Sequence, residues 1–240
     1  MIQQIARGLC ELVFPPVCVH CNALIENHDA FFCTACIHAL THDPHTTCPR
    51  CCSSVGEFAD VSKGCPNCRD ERYHFASSFR LGLYDGVLRD AILKLKSKMG
   101  EGFAECLGQL WASVAEKQFR EVAAQVVIPI PLHWWRKWRR GFNQSEALAE
   151  AIATRLEIPC EPRWLRRIRH TPHQTSVGAA ERRTNLRGAF RVSSDADLKG
   201  KTVLLVDDVL TTGSTTSEAA RALCEAGVAK VVVGVLAHRG

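Results

Sequence analysis

The run Val203-Leu-Leu-Val-Asp207-Asp208-Val-Leu-Thr211-Thr212-Gly213-Ser214-Thr215 decides how this chain reads. Four consecutive apolar residues, Val203 to Val206, suit a strand buried on both faces, as a parallel sheet requires. Beyond Ser214, the residues Ala219, Ala220, Leu223 and Cys224 recur at helical spacing, and Gly227 stops the helix. The turn between strand and helix brings backbone N–H groups, hydroxyls and a helix N-terminus to one point, the set of donors a phosphate dianion takes. Asp207 and Asp208 stand at the carboxyl end of the strand, where open α/β sheets place their ligands. Asp and Thr are also ordinary cap and turn residues. An apolar strand, adjacent acids and a Thr/Gly/Ser turn leading straight into an amphipathic helix favour a sugar-phosphate site over turn chemistry.

Toward the N-terminus, Val126 to Ile130 predicts a second strand, with Pro129 and Pro131 bracketing its end. A helix is expected from Asn143-Gln144-Ser145, with Ala147, Leu148, Ala151, Ile152 and Leu156 on one face. The block between them, His133-Trp134-Trp135-Arg136-Lys137-Trp138-Arg139-Arg140-Gly141, is expected as a strand-to-helix loop on the Asp-Asp side of the sheet. From His133 to Arg191 the chain carries thirteen Lys/Arg against five Glu and no Asp, leaving 17 basic and 20 acidic residues elsewhere. The net charge of +5 is therefore concentrated on one anion-facing region. Arg139 and Arg140, next to Gly141 and the helix start, are pyrophosphate candidates. Trp134, Trp135, Trp138, Arg136 and Lys137 are nucleic-acid candidates, by stacking on bases and neutralising phosphates of a single strand; packing against the protein itself is the competing use. Thr171 to Leu186, which contains Arg182 and Arg183, lacks periodicity and is expected as a lid loop. Lys94, Lys96 and Lys98, on or beside a helix built from Val87, Leu88, Ala91, Ile92 and Leu95, read as solvated lysines.

Ten of the thirteen cysteines precede residue 70, and eight form Cys-x-x-Cys pairs: Cys18/Cys21, Cys33/Cys36, Cys48/Cys51 and Cys65/Cys68. The amphipathic start, Met1 to Val13 with Ile2, Ile5, Leu9, Leu12 and Val13 at helical spacing, is not a signal peptide, so a cytoplasmic chain with reduced thiols is expected. Two pairs close one tetrahedral zinc site, which predicts two structural zinc ions. Sequential pairing is the simpler arrangement; spacing leaves interleaved pairing open, and Cys52 stands ready to replace Cys51. The nearby His20, His28, His38, His42 and His45 are mostly expected in solvated loops, with substitution of one of them at a zinc site left open. The segment 15–75 is too polar to bury a core of its own, so metal would supply its folding energy. The expected organisation is an N-terminal helix over 1–14, a double zinc ribbon over 15–75 and an α/β domain over 76–240. No apolar run approaches a membrane span, and stable membrane insertion is not expected.

The segment Val203–Thr215 resembles the PRPP-binding motif of type I phosphoribosyltransferases, PRPP being 5-phosphoribosyl-1-pyrophosphate. The resemblance extends over nearly the whole chain. The order of Cys-x-x-Cys pairs, Leu95-Lys96, Ile-Pro-Ile-Pro131, Arg140-Gly-Phe-Asn-Gln144, Gln174, Arg182-Arg183-x-Asn185 and the Asp-Asp loop is similar to the ComF/GntX family. This implies an α/β fold, a type I phosphoribosyltransferase-like parallel sheet flanked by helices, behind a double zinc ribbon. It implies that Asp207 and Asp208 hold the ribose hydroxyls, that Thr211, Thr212, Gly213, Ser214 and Thr215 cradle the 5-phosphate, and that Arg140, Arg182 and Arg183 lie near pyrophosphate. Mg²⁺ would accompany PRPP. The family is associated with uptake or utilisation of external DNA, including natural competence, which implies single-stranded DNA and a DNA-uptake or helicase protein as partners. After the motif helix only the strand Lys230–Ala237 remains, so recognition of an acceptor is expected to fall to the ribbons or to residues 80–119. Two other readings stay open: a PRPP-sensing adaptor without turnover, and a Mg²⁺-dependent phosphoribosyltransferase acting on an unknown small molecule.

Overall fold

A computed structural model describes residues 15–25, 27, 30–169 and 186–239. The expected 1–14 helix, His28, Gln174, Arg182, Arg183, Asn185 and nearly all of the expected lid lie outside the described residues, as does the side chain of Arg136. The ribbon region contributes helix α1 (Thr34–Thr41) and the short strands β1 (Thr46–Thr47) and β2 (Ser54–Val55), which pair antiparallel. Strand β3 (Ser77–Leu83) is followed by helices α2 (Gly86–Leu95), α3 (Gly100–Val114) and α4 (Glu116–Glu121). Strand β4 (Val126–Pro129) leads through α5 (Trp134–Arg140) to α6 (Gln144–Leu156). A small antiparallel pair, β5 (Leu165–Arg167) and β6 (Phe190–Val192), precedes β7 (Thr202–Leu210), α7 (Ser214–Glu225) and β8 (Lys230–His238).

The central sheet has the order β3-β8-β7-β4 with every pair parallel, so the four carboxyl ends share one edge. The expected parallel sheet with flanking helices is what forms. Strand β7 shows why its apolar run is continuous. Leu204 and Val206 join the core beneath α3 and α6, whereas Val203 and Leu205 join the core beneath α7, following the two-residue period of a strand. Phe119 packs edge-on against Phe79 and Trp111 in the first core, and those two rings lie tilted to each other. Helices α3 and α6 approach so closely that a Cβ on Gly108 would stand 2.8 Å from Ala151 Cβ. Truncating fully buried Leu204 to Ala would cost about 2–5 kcal/mol. No helix among the described residues is long and apolar enough to cross a membrane.

The ribbon region shares its core with the sheet. Cys18, Ile25, Phe32, Cys36 and Leu40 are buried in one cluster with Phe103 and the other residues of the α3 side. That continuity offsets the lack of a ribbon core noted from sequence. The second half is pinned by Arg80 of β3, whose side chain is fully buried. Its Nε donates to Asp43 Oδ2 at 2.8 Å, Nη1 to the Cys52 carbonyl at 2.7 Å and Nη2 to Ser54 Oγ at 2.8 Å. An arginine out of water needs this full set of acceptors. Ser53 Oγ, 3.1 Å from His238 Nε2, ties the same segment to β8. Burial, then the Arg80 charge, lowers His238 to about 4, so the ring is neutral near pH 7.

Candidate functional site

Strand β7 continues past Asp207 and Asp208 to Leu210, and Gly213, at φ +71°, makes the left-handed turn that starts α7. A side chain there is disfavoured both by that backbone and by Tyr73, whose Cε1 would lie 2.9 Å from a Cβ. Inside the turn, Thr212 Oγ1 and Ser214 Oγ are 2.8 Å apart, and Thr216 Oγ1 donates to the Gly213 carbonyl at 3.0 Å. The turn has two sides. Thr211 and Thr215 line a cleft of ≈ 870 Å³ with Asp207 and Asp208, whereas Thr212 and Ser214 line a smaller cavity of ≈ 280 Å³ with Tyr73, His74 and Ser217.

The two aspartates are held by α6. Asn143 caps that helix, accepting from the Ser145 N–H at 3.2 Å and donating from Nδ2 to the Ile130 carbonyl at 3.1 Å. This anchors the helix start to the end of β4. Gln144 Nε2 then donates to Asp208 Oδ2 at 3.1 Å, and Ser145 Oγ donates to Asp207 Oδ1 at 3.0 Å. Burial, then the adjacent Asp208 charge, raises the Asp207 carboxyl to about 7. A cation already sits on the pair, for Lys96 Nζ is 3.0 Å from Asp208 Oδ2.

Lys96 corrects the sequence reading. It caps α2 and turns into the cleft, with Ser97 and Lys98 beside it, because α2 ends at the edge where the strands' carboxyl ends gather. Arg139, Arg140, Arg167, Arg239 and Tyr84 complete the polar wall. Six Lys/Arg side chains thus face two carboxylates in one open concavity, a match for a polyanion. Arg140 Nη1 also donates to Gln144 Oε1, so it touches the residue that orients Asp208.

The basic-aromatic block is a seven-residue helix rather than the expected loop. His133 caps it through Nδ1, which accepts from the Trp135 N–H at 3.4 Å, and Gly141 at φ +95° ends it. Helical spacing sorts its residues. Trp135 and Arg139, four apart, line the cleft, the guanidinium lying 5.8 Å from the indole centroid. Trp134 and Trp138, also four apart, are 69% and 79% exposed. Lys137 reaches back to Glu146 at 2.8 Å.

The cysteines form two groups, Cys18/Cys21/Cys33/Cys36 and Cys48/Cys51/Cys65/Cys68, each with sulfurs within 4.8 Å of one another. Sequential pairing of the knuckles is therefore the arrangement adopted. Sulfurs tetrahedral about zinc at about 2.3 Å lie about 3.8 Å apart. Observed separations are 3.7 Å for Cys21–Cys33, 3.8 Å for Cys48–Cys68, 3.5 Å for Cys51–Cys65 and 3.7 Å for Cys65–Cys68. Both groups could hold zinc, and no histidine among the described residues joins either. Cys52 does not replace Cys51: it is buried in the α7-side core, where burial pushes its thiol up to about 12.

Sequence reasoning missed Lys96, Ser145 and Tyr73. The only signal for Lys96 was the Leu95-Lys96 step in the resemblance; Ser145 and Tyr73 become visible only when distant segments meet.

A model of the phosphoribosyl transferase domain matches residues 143–240. Competence protein F of Haemophilus influenzae is 30% identical over 225 residues, covering 92% of this chain and 96% of that protein. DNA utilization protein YhgH of Escherichia coli O157:H7 is 31% identical over 229 residues, covering 94% and 98%. Competence protein ComFC of Bacillus subtilis is 26% identical over 210 residues, covering 85% and 82%.

Proposed function

Since the chain belongs to the family of competence protein F and DNA utilization protein YhgH, we propose that its cleft binds PRPP together with Mg²⁺ and serves the use of external DNA. The observation that carries this reading is the placement of Asp207 and Asp208 between the Thr211–Thr215 turn and the cationic wall of one cleft. Asp207 and Asp208 accept from the ribose hydroxyls. Thr211, Thr215 and the backbone N–H groups opening α7 receive the 5-phosphate. Lys96, Arg139 and Arg140 take the pyrophosphate, with Arg182 and Arg183 assigned there by the resemblance alone. The donor set fits a divalent cation: two adjacent carboxylates open to a cleft, with an ammonium already seated on one. Mg²⁺ bound with PRPP would neutralise pyrophosphate oxygens.

In glycosyl transfer, positive charge grows at the anomeric carbon as the leaving group takes the bonding electrons. The chain's part is electrostatic. Asp207 and Asp208 lie near the developing cation, and the basic side chains face the departing pyrophosphate. Pyrophosphate release measured with and without added acceptors separates turnover from PRPP sensing.

Trp134 and Trp138 favour a second contact, with single-stranded DNA. Two exposed indoles on one helical face form a stacking platform for bases, and this face adjoins the cationic cleft. The reading is tested by oligonucleotide binding to the Trp134→Ala/Trp138→Ala variant.

A further inference from the structure

The smaller cavity and the second cysteine group meet at Tyr73, which lies five residues beyond Cys68. One face of the ring closes on Gly213, and its Oη donates to the Thr212 carbonyl at 3.4 Å. Phe75 stacks on the ring at 4.7 Å with 14° between planes. The next residue, His74, donates its N–H to Ser217 Oγ at 3.1 Å in the first turn of α7. The segment leaving the fourth knuckle therefore forms the outer wall of the phosphate turn.

Tyr73 is held in turn by the knuckle loops. Arg50 lies between Cys48 and Cys51, and its guanidinium is 5.6 Å from the Tyr73 ring centroid. Its Nη1 donates to the Cys68 carbonyl at 2.9 Å and its Nη2 to the Glu71 carbonyl. One arginine thus clasps the third knuckle, the exit from the fourth, and the tyrosine. Tyr73 supports the turn from outside at Gly213, the position that caps α7.

We propose that Tyr73 is a positioning residue through which metal at Cys48, Cys51, Cys65 and Cys68 holds the 211–217 turn in its anion-binding shape. Four thiolates closed on a metal fix the Cys48 and Cys65 loops relative to each other. Arg50 and Tyr73 pass that constraint to Gly213, and a preformed turn binds its anion without an ordering cost. Metal in the first group would lack this route, because Cys18 and Cys36 are buried in the α3-side core instead. The proposal rests on the phosphate reading of the turn only for its consequence for PRPP.

The test uses the full zinc-loaded chain and reads hydrogen exchange at amides 211–217, zinc per chain, and PRPP affinity. Cys65→Ser speeds exchange in the turn roughly tenfold or more, within the usual range of coupling between sites, whereas Cys33→Ser changes it less than about twofold. Tyr73→Ala keeps both zinc ions, reproduces the faster exchange and weakens PRPP roughly tenfold, whereas Tyr73→Phe, which keeps the ring, stays within about twofold of the parent. Equal protection in the parent and Cys65→Ser chains overturns the proposal, as does equal loss in Cys33→Ser and Cys65→Ser. If the parent binds no PRPP, the functional reading fails, and the exchange comparison still decides the coupling.

Discussion

Lys96 Nζ lies 3.0 Å from Asp208 Oδ2, and the same carboxylate oxygen accepts from Gln144 Nε2 at 3.1 Å. This joins the end of α2, the start of α6 and the carboxyl end of β7 around one charge. The Lys96 charge also opposes the burial and like charge that raise Asp207. Lys96→Ala is expected to weaken PRPP about tenfold, as loss of one charge-assisted contact does. It is also expected to move the pH of half-maximal binding above about 7, because Asp207 then holds its proton to higher pH. PRPP titrations from acid to alkaline pH check both effects; an unchanged pH midpoint would contradict this role.

Helix α5 predicts a division of labour. Replacing Trp134 and Trp138 by Ala should weaken oligodeoxythymidylate binding tenfold or more, at about 1–3 kcal/mol per stacked base, with PRPP affinity unchanged. Arg139→Ala should weaken PRPP instead. Fluorescence anisotropy over a salt series measures the first effect and calorimetry the second. Equal oligonucleotide affinity in the double variant and the parent would rule out the platform.

The cysteine groups predict two zinc ions per chain, read by chromophoric chelator after denaturation. Cys52→Ser should retain both, since Cys52 is packed in the core and outside either group. Cys51→Ser should retain one, with a lower melting temperature and a ribbon more open to proteolysis. Loss of an ion in Cys52→Ser would show that the ligand assignment is wrong.

Stability should depend on pH through Asp207. Its folded-state value is raised from 3.8 to about 7, so between those values the folded chain holds a proton that the unfolded chain has released. The stability drawn from this group is complete below about 4 and is lost as pH rises through about 7. Asp207→Asn should therefore melt near the parent at pH 4. At pH 8 it should melt at least about 2–4 °C higher, the shift that each kcal/mol makes in a chain of this size. A site residue that costs stability is the usual accompaniment of function. Identical melting temperatures at pH 8 would contradict the shift.

How much of this was readable beforehand follows from the range of the signals. The β7 strand, the Gly213 turn and α7 depend on neighbours in sequence, and periodicity and turn chemistry reveal them. Each Cys-x-x-Cys knuckle is equally local, but the choice of partner knuckle depends on chain reversal between residues 21 and 65 and appears only in the fold. The helix at Trp134–Arg140 was hidden because seven residues are too few to show a period and its three tryptophans are exposed rather than core-facing; its ends are set by His133 and Gly141. Lys96 followed the same logic. Its helix was legible from Leu88, Ala91, Ile92 and Leu95, yet the direction of the residue after that helix is set by how α2 packs on the sheet.

If Asp207 and Asp208 form the PRPP site, calorimetric titration of the zinc-loaded chain with PRPP and Mg²⁺ reads their contribution without an intervening step. Binding to the parent is expected to be saturable and to fall roughly a hundredfold or more in Asp207→Asn/Asp208→Asn, about two charge-assisted hydrogen bonds' worth, with both zinc ions retained. Equal PRPP affinity in the parent and the double variant would contradict it.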